Sequence, residues 1–144
     1  MKKIWVAFLL ILFCFQQGVA QKSNKPKLQA MYNAIKEEGI EEPVFVMAQS
    51  IQETGWLNCK NCCLRHNNLF GFYKKGNKCM KFDSEKECIK YYRKWQDKRY
   101  PKWKKKYPKG TYYDFLKYIG YAANPNYNKE LRVFVNWVKK NLEL

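Results

Sequence analysis

Val44–Tyr73 reads VFVMAQSIQETGWLNCKNCCLRHNNLFGFY, and the rest of the chain is organised around this stretch. Its first apolar residues recur at helical spacing, which predicts a short helix that ends near Glu53. Gly55 suits the left-handed residue that terminates a helix. A cysteine-rich loop then leads to the polar and aromatic turn Asn67–Phe72. One acid at a helix end, facing such a turn, is more typical of a functional site than of a core.

The rest of the chain predicts a mainly α domain of the α+β class with one small β element. Two short segments, Leu69–Tyr73 and Cys79–Phe82, alternate in the way that predicts a hairpin. The proline-containing stretch 99–110 is predicted to be irregular. Ser84 and Thr111 are predicted N-caps of two later helices. Helical spacing of apolar residues is found in four further regions: 28–35, 84–95, 111–119 and 131–142.

The first 20 residues have the composition of a secretory signal peptide. Lys2 and Lys3 precede the apolar run Ile4–Phe15, and small residues follow at 18–20. This run of 12 residues is shorter than the roughly 20 that cross a bilayer. We therefore expect an exported protein, periplasmic or extracellular, with no stable membrane insertion after cleavage. The predicted organisation is a signal peptide over 1–20, a flexible segment over 21–27 and one domain over 28–144.

The chain carries a large excess of positive charge. Its net charge is +16, and removal of Lys2 and Lys3 with the signal peptide lowers it to +14. Residues 74–109 contain 15 Lys or Arg against four acids. Such a basic face favours an anionic polymer or surface, and for an exported protein we expect cell wall rather than nucleic acid. The alternative is a solvated face that only keeps the protein soluble.

The cysteines that remain after cleavage predict disulfides, because export places them in an oxidising compartment. There are five of them: Cys59, Cys62, Cys63, Cys79 and Cys88. We expect two of the first three to bond Cys79 and Cys88, which leaves one unpaired. A zinc site is the alternative, but the spacing is not that of paired C-x2-C motifs and the chain has a single histidine. We expect no metal and no other cofactor.

Glu53 is a candidate general acid. A carboxylate in the last turn of a helix faces the negative end of the helix dipole, which disfavours its ionised form. Neighbouring Ile51 and Trp56 remove it further from water. Both effects raise the pKa, as a general acid at neutral pH requires. The alternative is a surface glutamate with no such role.

Aromatic residues make up 17% of the chain, more than a core of this size needs. Aromatic faces beside asparagine side chains suit sugar rings, which offer an apolar face and polar edges. Core packing is the alternative for some of them. The aromatic residues that bracket the expected cleft are Trp56, Phe70, Phe72, Tyr73, Tyr121 and Tyr127.

Four sequence blocks together carry a resemblance to a known family. In order, they are Ala48–Trp56 (AQSIQETGW), Asn67–Gly71 (NNLFG), Phe82–Ser84 (FDS) and Tyr121–Tyr127 (YAANPNY). The chain thereby resembles the glucosaminidase family of lysozyme-like peptidoglycan hydrolases. The resemblance implies a helical lysozyme-like domain with a short β-lobe beside the cleft. It also implies hydrolysis of the β-1,4 bond after N-acetylglucosamine in peptidoglycan glycan strands.

The resemblance assigns roles to individual residues. Glu53 matches the acid of the family's E-[ST]-G-W signature. Tyr121 matches a tyrosine that orients the substrate or its N-acetyl group. Asn68 and Phe70 fall on the turn that lines the sugar groove.

The chain departs from the family in its β-lobe. Relatives often carry a second acid there, but Gly71–Met80 contains neither Asp nor Glu. Asp83 is the nearest carboxylate and is a weak catalytic candidate, since it matches a helix-starting aspartate. Two-carboxylate hydrolysis needs a partner at about 5–9 Å from the acid. Without such a partner, two mechanisms remain possible: attack by water that another group activates, or attack by the substrate's own acetamide.

Two other functions fit the same residues. A muramidase or lytic transglycosylase shares the fold, and lytic transglycosylases usually have a lone catalytic glutamate. A non-catalytic peptidoglycan-binding protein would use the aromatic cleft and the basic face without chemistry. In each case we expect a monomer.

Overall fold

The computed structural model describes residues 24–144, so the predicted signal peptide lies outside the described residues. Residues 24–27, which belong to the predicted flexible segment, form the first turn of a helix in the structure. The mainly α architecture with a small hairpin is confirmed. Its helices are α1 (24–37), α2 (Pro43–Thr54), α3 (Glu85–Asp97), α4 (Tyr100–Lys106), α5 (Tyr112–Tyr118) and α6 (Tyr127–Asn141). A 3-10 helix at Cys63–His66 and two strands, β1 (Tyr73–Lys74) and β2 (Lys78–Cys79), complete it.

The centre of the domain is α2, which packs most extensively against α6. On α2, Met47, Ala48 and Ile51 are fully buried, as their spacing predicts. They share one hydrophobic core with Leu131 and Val135 of α6. Burial of a large apolar side chain contributes about 1.5–3 kcal/mol. This core therefore fixes the end of α2, where Glu53 lies.

The hairpin is shorter than predicted. Tyr73 pairs with Cys79 in an antiparallel ladder of two residues per strand. The Asn68 side-chain amide bonds to the backbone N and O of Phe72 (3.0 and 2.7 Å) and to the carbonyl of Met80 (3.1 Å). The Phe72 carbonyl also accepts from the backbone N of Met80 at 2.9 Å, so the Asn68 side chain and one further backbone bond hold the two chains together beyond the strands.

The prediction that residues 99–110 are irregular is wrong, because α4 forms within this stretch. Pro101 lies in the first turn of α4, where its missing N–H has no helical partner to lose. Pro108 follows the end of the helix. The predicted N-caps are confirmed: Ser84 accepts from the backbone of Glu87, and Thr111 forms a capping box with Asp114.

One of the expected disulfides is present. Cys63 is bonded to Cys79 with a Cα–Cα distance of 5.5 Å, which joins the 3-10 helix to β2. A bond to Cys88 is wrong: Cys88 is a free, fully buried thiol whose sulfur accepts from the backbone N of Leu69 at 3.3 Å. Its place on the core side of α3 keeps it from the cysteine loop, and burial raises its pKa to about 12. Cys59 and Cys62 are free and half-buried.

Over residues 24–144, the structure has no helix that is long and apolar enough to span a membrane. The same residues contain no group of three or more His, Cys, Asp or Glu side chains placed to hold a metal ion.

Candidate active site

Glu53 lies in the last turn of α2, directly before a sharp reversal of the chain. Gly55, Trp56 and Leu57 are all left-handed, with φ of 53°, 66° and 58°. Non-glycine residues rarely adopt this conformation, so surrounding contacts must stabilise it. The Thr54 hydroxyl accepts from the backbone N of Leu57 at 3.0 Å. The carbonyls of Trp56 and Leu57 accept from side chains of α1.

Gly71 of the NNLFG turn lies directly against the Glu53 carboxyl group. Its φ is +64°, and a Cβ at this position would be 3.0 Å from Cδ of Glu53 and closer still to Oε2. A side chain at 71 would therefore meet both backbone strain and a direct clash. Glycine here permits the contact between the first two sequence blocks.

Glu53 is half-buried, and its surroundings favour the protonated carboxyl group. Burial raises the pKa of Glu53, and the nearby Tyr127 hydroxyl partly offsets the rise. That hydroxyl lies near Glu53 and Gln49 but makes no hydrogen bond of ordinary length and angle within the described residues. No neighbouring carboxylate contributes to the raised pKa of Glu53. The acid is thus a single group in a poorly solvated position, suited to proton donation.

Tyr121 connects the fourth block to the second. Its hydroxyl donates to the Phe70 carbonyl at 2.6 Å, and its ring centroid is 5.7 Å from that of Tyr127. Its backbone N donates to the carbonyl of Leu116 at 3.0 Å, which attaches the loop to α5. Glu53, Gly71, Tyr121 and Tyr127 are therefore brought together from three distant segments.

Three predicted substrate contacts have buried side chains. Asn68 and Phe70 are each 1% exposed, and Tyr127 is 8% exposed. Asn68 is occupied by the backbone of the turn, and Phe70 packs on Tyr92 at 4.5 Å between ring centroids. The core covers most of the surface of these side chains, and their contact with sugar stays a prediction. In the structure Asn68 holds the backbone of the turn, and Tyr127 lies near Glu53.

Trp56 and Phe72 are half-buried and keep part of their surface open. The Trp56 ring contacts Phe134 and Trp137 edge-on, at 5.5 and 4.9 Å. Phe72 contacts Tyr91 edge-on at 5.0 Å. Both remain candidates for contact with substrate.

Asp83 is exposed in the bend before α3. It lines a depression together with Lys81, Glu87 and Lys90. Glu53 is not among the residues of this depression. The place of Asp83 before the Ser84 N-cap fits the start of α3, and a catalytic role for Asp83 stays a prediction.

Glu130 is a residue of the site that the sequence motifs do not include. It lies in the first turn of α6 and accepts from Gln52 at 3.3 Å and from Asn124 at 3.3 Å. It therefore links α2, beside Glu53, to the loop that carries Tyr121. One feature of the sequence could have pointed to Glu130. It is an acid three residues after the YAANPNY block, in the first turn of the helix that follows, where the helix dipole favours a negative charge.

A family model described as "Mannosyl-glycoprotein endo-beta-N-acetylglucosaminidase" matches residues 28–140. Since the match covers most of the chain, the protein belongs to the glucosaminidase family, a family of glycoside-hydrolase-type domains. Membership indicates a hydrolase with a peptidoglycan substrate. Searches of curated proteins and of solved structures give no match.

Proposed function

We propose that this protein is an exported enzyme that hydrolyses the β-1,4 bond after N-acetylglucosamine in peptidoglycan, with Glu53 as the general acid. The observation that carries the proposal is the environment of Glu53. Its carboxyl group is half-buried at a helix end, against Gly71, with a raised pKa to which no neighbouring carboxylate contributes.

In this mechanism Glu53 gives its proton to the glycosidic oxygen as the bond breaks. Burial keeps a fraction of the carboxyl group protonated at a pH where an exposed glutamate is ionised. Gly71 supports this role because it lets the turn pack against the carboxyl group without a side chain that would displace it. General acid catalysis of this kind typically contributes about 10²–10⁴-fold to the rate.

The substrate's own acetamide is the proposed nucleophile. Its carbonyl oxygen attacks the anomeric carbon while the leaving oxygen takes the Glu53 proton, and water then opens the cyclic intermediate. The absence of a second acid from Gly71–Met80 and the position of Asp83 support this route. Two-carboxylate hydrolysis would need a partner about 5–9 Å from Glu53.

Tyr121 is proposed to orient that acetamide. A tyrosine hydroxyl has one proton to donate and also accepts hydrogen bonds. Its proton is already directed at the Phe70 carbonyl at 2.6 Å. The oxygen therefore retains acceptor capacity, which matches an acetamide N–H group.

Export is supported by the Cys63–Cys79 disulfide, since such bonds persist in oxidising compartments. The compartment we propose is a periplasm or the cell exterior. There the protein acts as a monomer on glycan strands.

One second candidate is favoured by a specific observation. A lytic transglycosylase uses a lone acid, and Glu53 has no carboxylate neighbour that raises its pKa. The two chemistries leave different ends on the glycan.

Product analysis tests the proposal. Purified sacculi are digested with residues 21–144, the products are reduced with borohydride, and the new ends are identified by mass spectrometry. We expect reduced N-acetylglucosamine. Reduced muramic acid would indicate a muramidase, an anhydro end a transglycosylase, and retained binding without products a binding protein. Release of glycan from a mannosyl glycoprotein, with intact sacculi, would contradict the peptidoglycan assignment.

A further inference from the structure

A second concave surface lies between α4 and α5, and we call it the α4–α5 groove. It has a volume of about 480 Å³, within the range of roughly 300–1,000 Å³ typical of ligand sites. Its aromatic and apolar lining comes from Trp103, Tyr107, Pro108, Gly110 and Tyr118. None of these residues belongs to the Glu53 site.

The tyrosines of the groove are exposed, unlike most aromatic residues of this protein. Tyr107 is 38% and Tyr118 61% exposed, and their ring centroids lie 5.8 Å apart at an angle of 60°. The Lys106 ammonium lies over the Tyr107 ring, 5.3 Å from its centroid, so part of this ring already contacts a lysine. The remaining exposed aromatic surface matches the apolar face of a sugar ring.

The floor of the groove is closely packed. Trp103 is 6% exposed, and its ring lies 5.6 Å from Tyr107. A Cβ at Gly110 would lie 2.8 Å from Cζ2 of Trp103, so glycine is what lets the indole pack beneath the turn. The Gly110 carbonyl accepts from Lys104 at 2.9 Å. A site that is formed before its ligand arrives loses less entropy on binding.

The rim of the groove is strongly basic. Residues 98–109 contain seven Lys or Arg and no acid. The salt bridges found within residues 24–144 pair Lys90 with Glu87 and Arg93 with Asp97, both on α3. They leave the charges of α4 unpaired, and Lys106 and Lys109 line the groove itself. This surface complements a ligand that carries carboxylates.

Asp114 adds one hydrogen-bond acceptor at the rim. Its Oδ2 accepts from the backbone N and hydroxyl of Thr111 at 2.8 and 2.6 Å. Its Oδ1 has no hydrogen bond within the described chain, so it is available to a ligand hydroxyl group. A carboxylate at this place favours a hydroxylated ligand over a polyphosphate backbone.

We propose that the α4–α5 groove is a second saccharide-binding site, which holds a peptidoglycan glycan strand away from the Glu53 site. Sugar rings stack on Tyr107 and Tyr118, and Lys106 and Lys109 pair with carboxylates of the peptide stems. The identity of the ligand rests on the proposed function.

The groove and Glu53 are separate places on one continuous hydrophobic core. Trp103 contacts Phe115 at 5.5 Å, Phe115 contacts Trp95 at 6.1 Å, and Trp95 contacts Tyr121 at 5.6 Å. A strand held at the groove raises the effective concentration of the polymer at the cleft, without any new contact to the bond that breaks.

The experiment is co-sedimentation with purified sacculi in the Glu53→Gln background, so that binding is measured without cleavage. We expect Tyr107→Ala with Tyr118→Ala to weaken binding about tenfold, which corresponds to modest loss at two aromatic contacts. Lys106→Ala with Lys109→Ala should also weaken it. The matched control, Lys139→Ala with Lys140→Ala, removes the same charge from the end of α6 and should bind as the parent does.

Thermal melting checks that each variant is folded. Unchanged sedimentation of the folded tyrosine variant would overturn the proposal, as would equal losses in the two lysine pairs. Displacement from sacculi by single-stranded DNA, but not by uncharged chito-oligosaccharide, would assign the groove to nucleic acid instead. Because the readout is binding, it stands even if product analysis shows no cleavage, and the two proposals fail independently.

Discussion

The Glu53 site and the α4–α5 groove contain the same residue types but expose them differently. Around Glu53 the tyrosine Tyr127 is buried, and the Tyr121 hydroxyl is directed at a backbone carbonyl. In the groove, Tyr107 and Tyr118 are exposed and surrounded by lysines. Burial turns an aromatic residue into a support for one acid, whereas exposure leaves it as a surface for a ligand. Aromatic content alone does not distinguish a site of chemistry from a site of binding.

Glu53→Gln should give the largest difference between the effect on cleavage, at the Glu53 site, and the effect on binding, at the α4–α5 groove. We expect loss of cleavage by at least about 10²-fold, because the amide cannot donate the proton, with sacculus binding retained. Release of soluble products and co-sedimentation measure the two effects. Glu143→Gln, at the exposed chain end, is the control and should retain both. Normal cleavage by Glu53→Gln would refute the assignment of the acid.

Gly71→Ala tests whether the acid depends on its close contact with the turn. We expect a loss of activity on the order of 10²-fold, because the added Cβ displaces the carboxyl group from its position. Positive φ also costs more than about 1 kcal/mol of folding stability.

Gly76→Ala is the matched control for Gly71→Ala. Its φ is +82°, but a Cβ there meets nothing within 4 Å. It should lower the melting temperature while leaving the cleavage rate unchanged. Equal losses of activity in both variants would mean that backbone strain alone explains the effect.

Tyr121→Phe tests the positioning of the substrate acetamide. We expect about a 10–100-fold lower kcat with little change in KM, and a stability loss of about 0.5–1.5 kcal/mol from the missing hydrogen bond. Steady-state kinetics on a soluble substrate measure this. Tyr32→Phe, on α1 and outside both sites, is the control and should be unaffected in that assay. Full activity in Tyr121→Phe, together with loss in Asp83→Asn, would move the second catalytic role to Asp83.

The pH dependence of stability gives the smallest expected effect. Burial raises the pKa of Glu53 in the folded state, so this state binds more protons than the unfolded chain above the ordinary carboxyl pKa. Stability is therefore lost as pH rises from the ordinary pKa through the raised one. The loss is about 1.4 kcal/mol for every tenfold difference between the two acid dissociation constants.

Melting temperatures of the parent and Glu53→Gln across this pH window measure that loss. The Glu53→Gln variant should not show this loss of stability with rising pH. Parallel curves would show that Glu53 is not desolvated in solution. The cleavage rate should fall over the same interval as Glu53 ionises.

Much of the fold followed from local sequence. Gly55 ends α2 in the left-handed conformation, and Thr111 caps α5, because each effect acts within a few neighbouring residues. The helix α4 did not follow from the local sequence, since a proline can either interrupt a helix or lie in its first turn, and Pro101 lies in the first turn. The sequence motifs predict Glu53 and Tyr121 as site residues, whereas Glu130 belongs to none of these motifs.

The sequence by itself determined the local position of Glu53, which lies at the end of a helix that Gly55 terminates. It also predicted the NNLFG turn that follows in the chain. Tertiary structure alone decided that Gly71 touches Glu53, that Asn68 and Phe70 turn inward, and that Cys63 is the partner of Cys79. The physical reason is the separation along the chain over which each interaction acts. Helix ends depend on neighbouring residues, whereas burial and disulfide geometry depend on how distant segments pack against each other.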